Sequence, residues 1–314
     1  MEFSAKQRQN PLPGSLVMIP GVSLVAKMFL PLTAKLSPPL AAYGINWPFH
    51  KGLPVTYMPK PEVEDKEAFL EKFIDAKELA KYVLFALFVL NGRPPKTDSA
   101  AAGLLAVDSL SPDMSAEKGL PMGFGHSAGA TALLMTEFLF PGTFAALFLY
   151  EPVLITDRSF TSGEVTEEIA SLITRTLERK SVFSSPGNAK DHFRNRMPFA
   201  DMDPACLDFY LKDALCHGVG PDRESRLILD RSVEAKFYGR FGAMGKIPSP
   251  GTGVCPVHVL TGSRDNKVAS YSLENLKDLL PNIQTTVLDG LDHFGPFTAP
   301  ERVASVINAG RLPE

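Results

Sequence analysis

The chain has 314 residues, of which 45% are hydrophobic and 21% are charged, and its formal net charge at pH 7 is −3. This length and composition are typical of a soluble globular protein with one large domain, or one domain with an insertion. The small net charge and the scattered charged residues give no reason to expect nucleic acid or an anionic membrane as a partner. We therefore expect a small-molecule substrate.

The cysteines indicate neither a metal site nor a disulfide framework. Cys206, Cys216 and Cys255 form no CxxC pair and have no companion histidines at metal-ligand spacing. We expect free thiols in a reducing compartment and predict a cytoplasmic location. No metal or organic cofactor is expected.

Two apolar stretches resemble targeting or membrane segments. Leu16–Leu32 is interrupted by Pro20 and Lys27, and no signal-type cleavage site follows it, so a buried strand and its loop are expected. The run YVLFALFVL, residues 82–90, is about half of the roughly 20 residues that a spanning helix needs. It indicates the buried end of a core helix, and no transmembrane segment is predicted.

Short apolar runs alternate with stretches of helical periodicity, which predicts an α/β fold with a mostly parallel sheet and helices on both faces. The predicted strands are Leu16–Ile19, Ala42–Ile45, Leu120–Phe124, Ala145–Tyr150, Val257–Thr261 and Thr285–Leu288. The predicted helices of this core are Lys66–Leu90, Ala128–Phe140, Ser272–Leu280 and Pro300–Asn308.

Two stretches depart from this alternation. Residues 92–118 are rich in Pro, Ser, Ala, Asp and Gly, which predicts a long surface loop. Residues 155–250 show helical patterns but no convincing strand, which predicts a helical cap inserted into the sheet domain. The predicted core is then 15–154 together with 251–312.

The sequence GFGHSAG, residues 123–129, lies between a predicted strand and a predicted helix. A serine at such a sharp turn needs small neighbours, which Gly125, Ala128 and Gly129 supply. The start of the helix and the Ala128 N–H would suit an oxyanion. We interpret Ser127 as a catalytic nucleophile, and the alternative is a serine that only caps the helix.

A serine hydroxyl needs a base, and His293 is the best placed of the six histidines. It lies in DGLDHFGP, residues 289–296, a loop after the last predicted strand. This loop would end beside the nucleophile, in the order serine then histidine that GxSxG hydrolases show. His126 is expected to point away from the hydroxyl, and the others lie in a loop, the cap or a strand: His50, His192, His217 and His258.

The carboxylate that orients His293 has two candidates. Asp265 follows one predicted strand in GSRD, and Glu151 follows another in YEP, so both lie at the carboxyl edge of the sheet. The residues alone favour Asp265, whose short side chain follows a glycine turn, over the longer reach of Glu151. The alternatives are a turn-forming aspartate and a strand-end glutamate that pairs with the cap.

Six motifs between Leu16 and Ile307 resemble one known family: LVMIPG, NWPFHKG, GHSAG, LYEPVL, GSRD and LDHFGPFTAPERVA. They are similar to those of the α/β-hydrolase family. The resemblance implies the α/β-hydrolase fold, with a mostly parallel sheet flanked by helices and an inserted helical cap, and a serine-histidine-acid triad. Pro20-Gly21 replaces the usual His-Gly of the oxyanion loop, so Val22 would supply the second oxyanion donor beside Ala128.

The cap stretch Phe199–Tyr238 resembles one branch of the family through DPACLDFYLKDAL and SVEAKFYG. That branch contains a peroxisomal lipase and the acyl-CoA hydrolase of mycophenolic acid biosynthesis. In it the acid can follow the strand that carries the EP motif, which keeps Glu151 open. The chain ends in Leu312-Pro313-Glu314, which is not a peroxisomal targeting tripeptide.

The 14 residues before Ser15 leave little room for the family's first antiparallel strands. We therefore expect a sheet of about six strands, or an incomplete gene product.

The predicted reaction is hydrolysis of a carboxylic ester or thioester with an acyl or aromatic group. The alternatives are carbon–carbon bond hydrolysis of a diketone and a catalytically weak ligand-binding protein, the latter suggested by the altered oxyanion loop. Apolar cap residues either line the substrate pocket or pack the cap onto the sheet: Phe183, Phe193, Met197, Phe199, Phe209 and Tyr210.

Overall fold

The computed structural model of the protein describes most of the chain. The described residues are 15–37, 41–47, 106–109, 120–154, 164–218, 223–241, 250, 252–264 and 267–310, with isolated positions 80, 83, 84 and 87. Most of the predicted helix Lys66–Leu90 and the predicted acid Asp265 lie outside this part of the chain.

The described residues form two sheets. The strands in chain order are β1 (Leu16–Ile19), β2 (Ala42–Asn46), β3 (Ala106–Ser109), β4 (Met122–His126), β5 (Leu147–Tyr150), β6 (Val182–Phe183), β7 (Leu215–His217), β8 (Ser225–Leu227), β9 (Val257–Gly262) and β10 (Gln284–Leu288). The large sheet has the order β10-β9-β5-β4-β1-β2-β3 and is parallel except for β3, which is antiparallel to β2. The small antiparallel sheet has the order β6-β8-β7.

Helices connect these strands. They are α1 (Leu30–Thr33), α2 (Ala128–Leu139), α3 (Glu164–Glu178), α4 (Pro186–Arg194), α5 (Pro204–Asp213), α6 (Arg231–Phe241), α7 (Lys267–Leu279), α8 (Gly295–Thr298) and α9 (Pro300–Gly310). Ala26–Phe29 and Phe199–Asp201 are 3₁₀ turns.

Strand periodicity divides the core into two layers. In β1, Leu16 and Met18 belong to one apolar cluster, whereas Val17 and Ile19 belong to the other. The alternation follows from the two-residue repeat of a strand, which points successive side chains to opposite faces. The first cluster includes residues of α9, and the second includes residues of α2 and α7. Because an apolar cluster covers each face of the sheet, its strands carry apolar side chains on both faces.

The predicted α/β class and its mostly parallel sheet are confirmed. All six predicted strands are present, and their ends shift by two residues or fewer. The expected six-stranded sheet has a seventh strand, β3, in the stretch predicted as a loop. This edge strand has the sequence AVDS, which is too short and too polar to show strand periodicity.

The stretch between β5 and β9 is mainly helical, but it also contains β6, β7 and β8. The prediction that residues 155–250 contain no strand was therefore wrong. Strands of two or three residues cannot establish the alternation on which a strand prediction depends. This stretch packs onto the 3₁₀ turn Ala26–Phe29: the Cys206 thiol lies 3.2 Å from the Met28 carbonyl oxygen, and Lys27 pairs with Asp213 at 3.0 Å.

All three cysteines are free thiols, with Cys206 buried and Cys216 exposed. None of the helices in the described part of the chain combines the length and the apolar character needed to cross a bilayer.

The large sheet brings distant residues to one edge. The register pairs His126 with Tyr150, and Tyr150 with Leu260. The residues that follow these positions in β4, β5 and β9 therefore emerge side by side at the carboxyl edge, where parallel α/β sheets commonly bind ligands.

Candidate active site

Ser127 occupies the turn between β4 and α2 with φ 57° and ψ −126°. A non-glycine residue at positive φ is strained, and such strain persists only where the surrounding structure enforces it. The packing here is close, because a Cβ on Gly125 would collide with the Ala130 backbone and one on Gly129 with the Ile19 carbonyl. The small residues of the predicted motif are therefore required by this turn.

One cavity of about 270 Å³ is lined by Ser127, Glu151 and His293. Helices α3 and α6 contribute residues to the lining of this cavity. The apolar lining includes Val22, Leu24, Val153, Ile169, Leu172 and Phe237. The polar lining includes Ser23, Glu168, Arg175 and Tyr238.

A short hydrogen bond joins His293 to Glu151. Nδ1 of His293 lies 2.7 Å from Oε2 of Glu151, whose side chain is fully buried. A carboxylate can only accept, so Nδ1 carries the proton and Nε2 becomes the basic ring nitrogen. The other oxygen, Oε1, accepts from the Gly262 N–H at 2.9 Å and from the Thr261 hydroxyl at 3.2 Å. Each carboxylate oxygen of Glu151 therefore has at least one hydrogen-bond partner.

The backbone of Glu151 is also strained, with φ 43° directly after β5. Its N–H donates to the Leu260 carbonyl of β9 at 2.9 Å. The strand pairing therefore enforces an uncommon backbone conformation that directs the side chain along the sheet edge towards His293. The longer side chain of Glu151 therefore reaches His293, although the sequence favours the shorter side chain of an aspartate.

The sequence predicts Asp265 as the orienting acid, with Glu151 as the alternative. The structure brings Glu151 onto His293, whereas Asp265 lies outside the described residues. Thr261 and Gly262, from the strand that precedes Asp265, bind the second oxygen of Glu151.

His126 connects two loops of the site. Its Nδ1 accepts from the Gly21 N–H at 3.2 Å, and its Nε2 lies 2.8 Å from the His293 carbonyl oxygen. An N–H can only donate and a carbonyl can only accept, so the ring is neutral with its proton on Nε2. Burial and the nearby His293 ring lower the pKa of His126 well below its usual value. The sequence predicted no role for this residue beyond the motif itself.

The loop that carries His293 is held by the ends of three strands. Its consecutive carbonyls 291–293 accept from the Arg264 N–H at 3.0 Å, the Tyr150 hydroxyl at 2.6 Å and the His126 ring at 2.8 Å. Burial raises the pKa of Tyr150, so its hydroxyl remains a donor. The backbone that carries the His293 imidazole is therefore held by hydrogen bonds at three successive residues.

The predicted oxyanion loop is also held on several sides. The indole N–H of Trp47 donates to the Pro20 carbonyl at 2.8 Å, and the Leu24 N–H donates to the Gly21 carbonyl at 3.0 Å. A Cβ on Gly21 would lie 3.2 Å from Nδ1 of His126, so the close approach favours glycine. Val22 and Ala128, the predicted donors, both line the cavity with Ser127. Pro20-Gly21 thus forms an ordered loop despite its departure from the family pattern.

Comparisons with known proteins identify the architecture. No family model and no curated protein matches the chain. The structure of E-2-(acetamidomethylene)succinate hydrolase matches with a TM-score of 0.65 and 15% identity over 94% of this chain and 90% of the other. The peroxisomal α/β-hydrolase Lpx1 of Saccharomyces cerevisiae matches with a TM-score of 0.61 and 17% identity over 98% and 78%. This chain has the α/β-hydrolase fold.

A thioesterase domain from the curacin biosynthetic pathway shares the α/β-hydrolase fold with this chain, with a TM-score of 0.57 and 15% identity over 95% and 92%. Identities at this level establish the fold and not the reaction. The likeness to the branch of the peroxisomal lipase therefore stays a prediction.

Most of the predicted apolar cap residues belong to the first apolar cluster or pack against it. Phe183, Phe193 and Tyr210 are buried in the first apolar cluster, and Met197 is exposed. None of the six predicted residues lines the cavity, which supports the packing alternative. Among the described residues, no group of three or more His, Cys, Asp or Glu side chains is arranged to hold a metal ion.

The depressed pKa of His126 predicts a specific loss of stability in acid. Below about pH 6.5 the unfolded chain binds a proton at this position and the native state does not, so stability falls as pH falls. Between pH 7.5 and 5.0 this contribution amounts to about 2 kcal/mol if the native ring stays neutral. Urea unfolding at both pH values should show a smaller acid-induced loss for His126→Asn than for the unsubstituted protein.

The control for this measurement is His217→Gln, because His217 is exposed and lies outside the site. Its pH dependence should stay closer to that of the unsubstituted protein. Parallel stability profiles for the unsubstituted protein and His126→Asn would show that His126 titrates normally in the native state.

Proposed function

We propose that this protein is a serine hydrolase that cleaves a carboxylic ester or thioester through an acyl-enzyme on Ser127. The observation that carries the proposal is the hydrogen bond between His293 and the buried Glu151 in the cavity that Ser127 lines. An imidazole fixed in the same cavity as a strained, half-buried serine suits nucleophilic catalysis. The α/β-hydrolase fold is compatible with this chemistry.

The proposed reaction has two steps. Ser127 Oγ attacks the carbonyl carbon while its proton passes to Nε2 of His293, and the leaving alkoxide or thiolate then takes that proton. Water attacks the acyl-enzyme in the same way, with His293 again accepting and returning the proton. The N–H groups of Val22 and Ala128 hold the negative oxygen in both steps, and the start of α2 adds its positive dipole end.

We assign the orienting acid to Glu151 in place of Asp265. Support comes from the 2.7 Å contact with Nδ1 and from the two donors that hold the second carboxylate oxygen. A carboxylate fixed in this way keeps the imidazole in the required tautomer and stabilises the imidazolium as it forms.

We also propose that residues 155–250 act as a cap that selects the acyl group. Ile169 and Leu172 of α3 and Phe237 of α6 line the cavity beside Ser127. A cavity of about 270 Å³ with an apolar wall suits a short or medium acyl chain or an aromatic acid. The ordered oxyanion loop favours an active enzyme over a catalytically weak binding protein.

Substitution of the nucleophile is the first test. Ser127→Ala should lower ester hydrolysis by about a thousandfold or more and abolish labelling by a fluorophosphonate, because both need the activated oxygen. The control is Ser305→Ala, which removes an exposed hydroxyl from α9. Activity of Ser127→Ala within tenfold of the unsubstituted protein would exclude Ser127 from the mechanism.

Substitution of each carboxylate by its isosteric amide tests which residue orients His293. Glu151→Gln should lower kcat by about 10⁴, because an amide cannot fix the imidazole in the same tautomer. Asp265→Asn is the matched control and should stay within tenfold of the unsubstituted protein. A nearly inactive Asp265→Asn beside an active Glu151→Gln would contradict the assignment.

The proposed role of the cap predicts that a change in its lining alters the preference for the length of the acyl chain. Leu172→Ala should raise the ratio of kcat/KM for p-nitrophenyl octanoate over butyrate by about threefold or more, because it removes an apolar wall of the cavity. Leu177→Ala is the control, since Leu177 lies on the same helix but does not line the cavity. An unchanged ratio in Leu172→Ala would argue against α3 as the selective wall. Acyl-CoA thioesters and a diketone in the same screen would separate the bond types.

A further inference from the structure

We propose that Arg175 binds a carboxylate at the far end of the acyl chain, so that the substrate is a monoester or monothioester of a dicarboxylic acid. The inference rests on the proposed function and names the substrate class of the same cavity. It makes Arg175 a residue that determines specificity, separate from the groups that carry out the reaction.

Arg175 lines the same cavity as Ser127 and lies on α3 with Ile169 and Leu172. These three residues of α3 follow one another at intervals of three, which places them along one side of the helix. From the first to the last, the helix advances by about 9 Å, at about 1.5 Å per residue. The lining that α3 supplies therefore changes from apolar side chains to a guanidinium along the length of the cavity wall.

The guanidinium of Arg175 is available to a ligand. Within the described part of the chain, it takes part in no ion pair and no side-chain hydrogen bond. Arg179, one helical turn later, is instead paired with Glu234. Among the described residues that line the cavity, Arg175 is also the only lysine or arginine. A negative group that enters the cavity therefore meets this one cation.

The exposure of Arg175 suits a carboxylate better than a fully buried site would. Arg175 and Leu172 both line the cavity and are both exposed, so this part of the wall lies at the cavity opening. A carboxylate bound there keeps part of its hydration, which avoids most of the cost of burying a charge. The planar guanidinium presents paired N–H donors that match the two carboxylate oxygens. The apolar middle of the acyl chain would then cover Leu172.

Glu168 carries the opposite charge on the same helix and also lines the cavity. It lies seven residues before Arg175, about 10 Å along the helix axis, which is too far for a direct ion pair. A substrate carboxylate would be repelled by Glu168 and attracted by Arg175, so it would bind at the Arg175 end. The two residues therefore offer substitutions with opposite expected effects on one substrate.

The test compares mono-p-nitrophenyl adipate with methyl p-nitrophenyl adipate, which differ in the charge at the far end of the acyl chain. The measured quantity is the ratio of kcat/KM for the charged ester over the neutral one. Arg175→Gln should lower this ratio by about threefold to tenfold, the range for a charge-assisted contact that is partly open to solvent. Glu168→Gln should raise it by about twofold, because it removes a like charge. The corresponding suberate esters cover a longer reach.

Two variants and a change of salt separate recognition from a general effect of charge. Arg194→Gln removes the same charge from an exposed position of α4 outside the cavity and should keep the ratio within about 1.5-fold. Arg175→Lys keeps the charge without the paired donors and should give an intermediate ratio. Raising NaCl from about 0.02 M to about 0.5 M should lower the ratio in the unsubstituted protein and much less in Arg175→Gln, because salt screens exposed charges.

The outcomes distinguish this inference from the proposed function. If Arg175→Gln keeps the ratio within about 1.5-fold of the unsubstituted value for both adipate and suberate, the recognition role is overturned and the hydrolase proposal stands. Arg175 would then act only as a cation in the last turn of α3, which would lower the free energy of unfolding in Arg175→Gln without changing selectivity. If the unsubstituted protein neither reacts with a fluorophosphonate nor cleaves any ester or thioester, both proposals fail.

Discussion

The arrangement of the site depends on the burial of one carboxylate, that of Glu151. Removing a carboxylate from water is costly unless hydrogen bonds replace the lost hydration. Three groups do so here: the His293 ring, the Gly262 N–H and the Thr261 hydroxyl. Gly262 also approaches the His293 loop so closely that a Cβ would collide with the Leu291 carbonyl. The end of β9 thus supports the proposed acid and the loop of the proposed base together.

Around this carboxylate, the loops of the site are hydrogen-bonded to one another. His126 bonds to the proposed oxyanion loop through one ring nitrogen and to the His293 loop through the other. Ser127 and Glu151 both adopt positive φ at the ends of neighbouring strands. Strain of this kind requires a surrounding structure that over-determines the backbone, and it pre-organises the groups before a substrate arrives.

The proposed acid and the groups that hold it come from neighbouring strands. The requirement is a carboxylate within hydrogen-bond reach of Nδ1 of His293, and parallel strands deliver their following residues to a common edge. Glu151 after β5 meets it directly at 2.7 Å. The end of β9, which precedes Asp265, supplies donors to the second oxygen of Glu151. In the proposed triad, β5 therefore supplies the acid and β9 supplies the groups that hold it.

Local patterns in the sequence determined the six parallel strands and the turn at Ser127, because both depend on residues adjacent in the chain. Buried apolar runs form the strands, and the glycines around Ser127 allow the turn. The edge strand β3 and the strands of two or three residues between β5 and β9 carry too little periodicity to be found. The meeting of Glu151 with His293, 142 residues later, was decided only by the tertiary structure. It depends on the pairing of β5 with β9 and on the backbone angle of Glu151, because contacts so distant along the chain leave no local pattern.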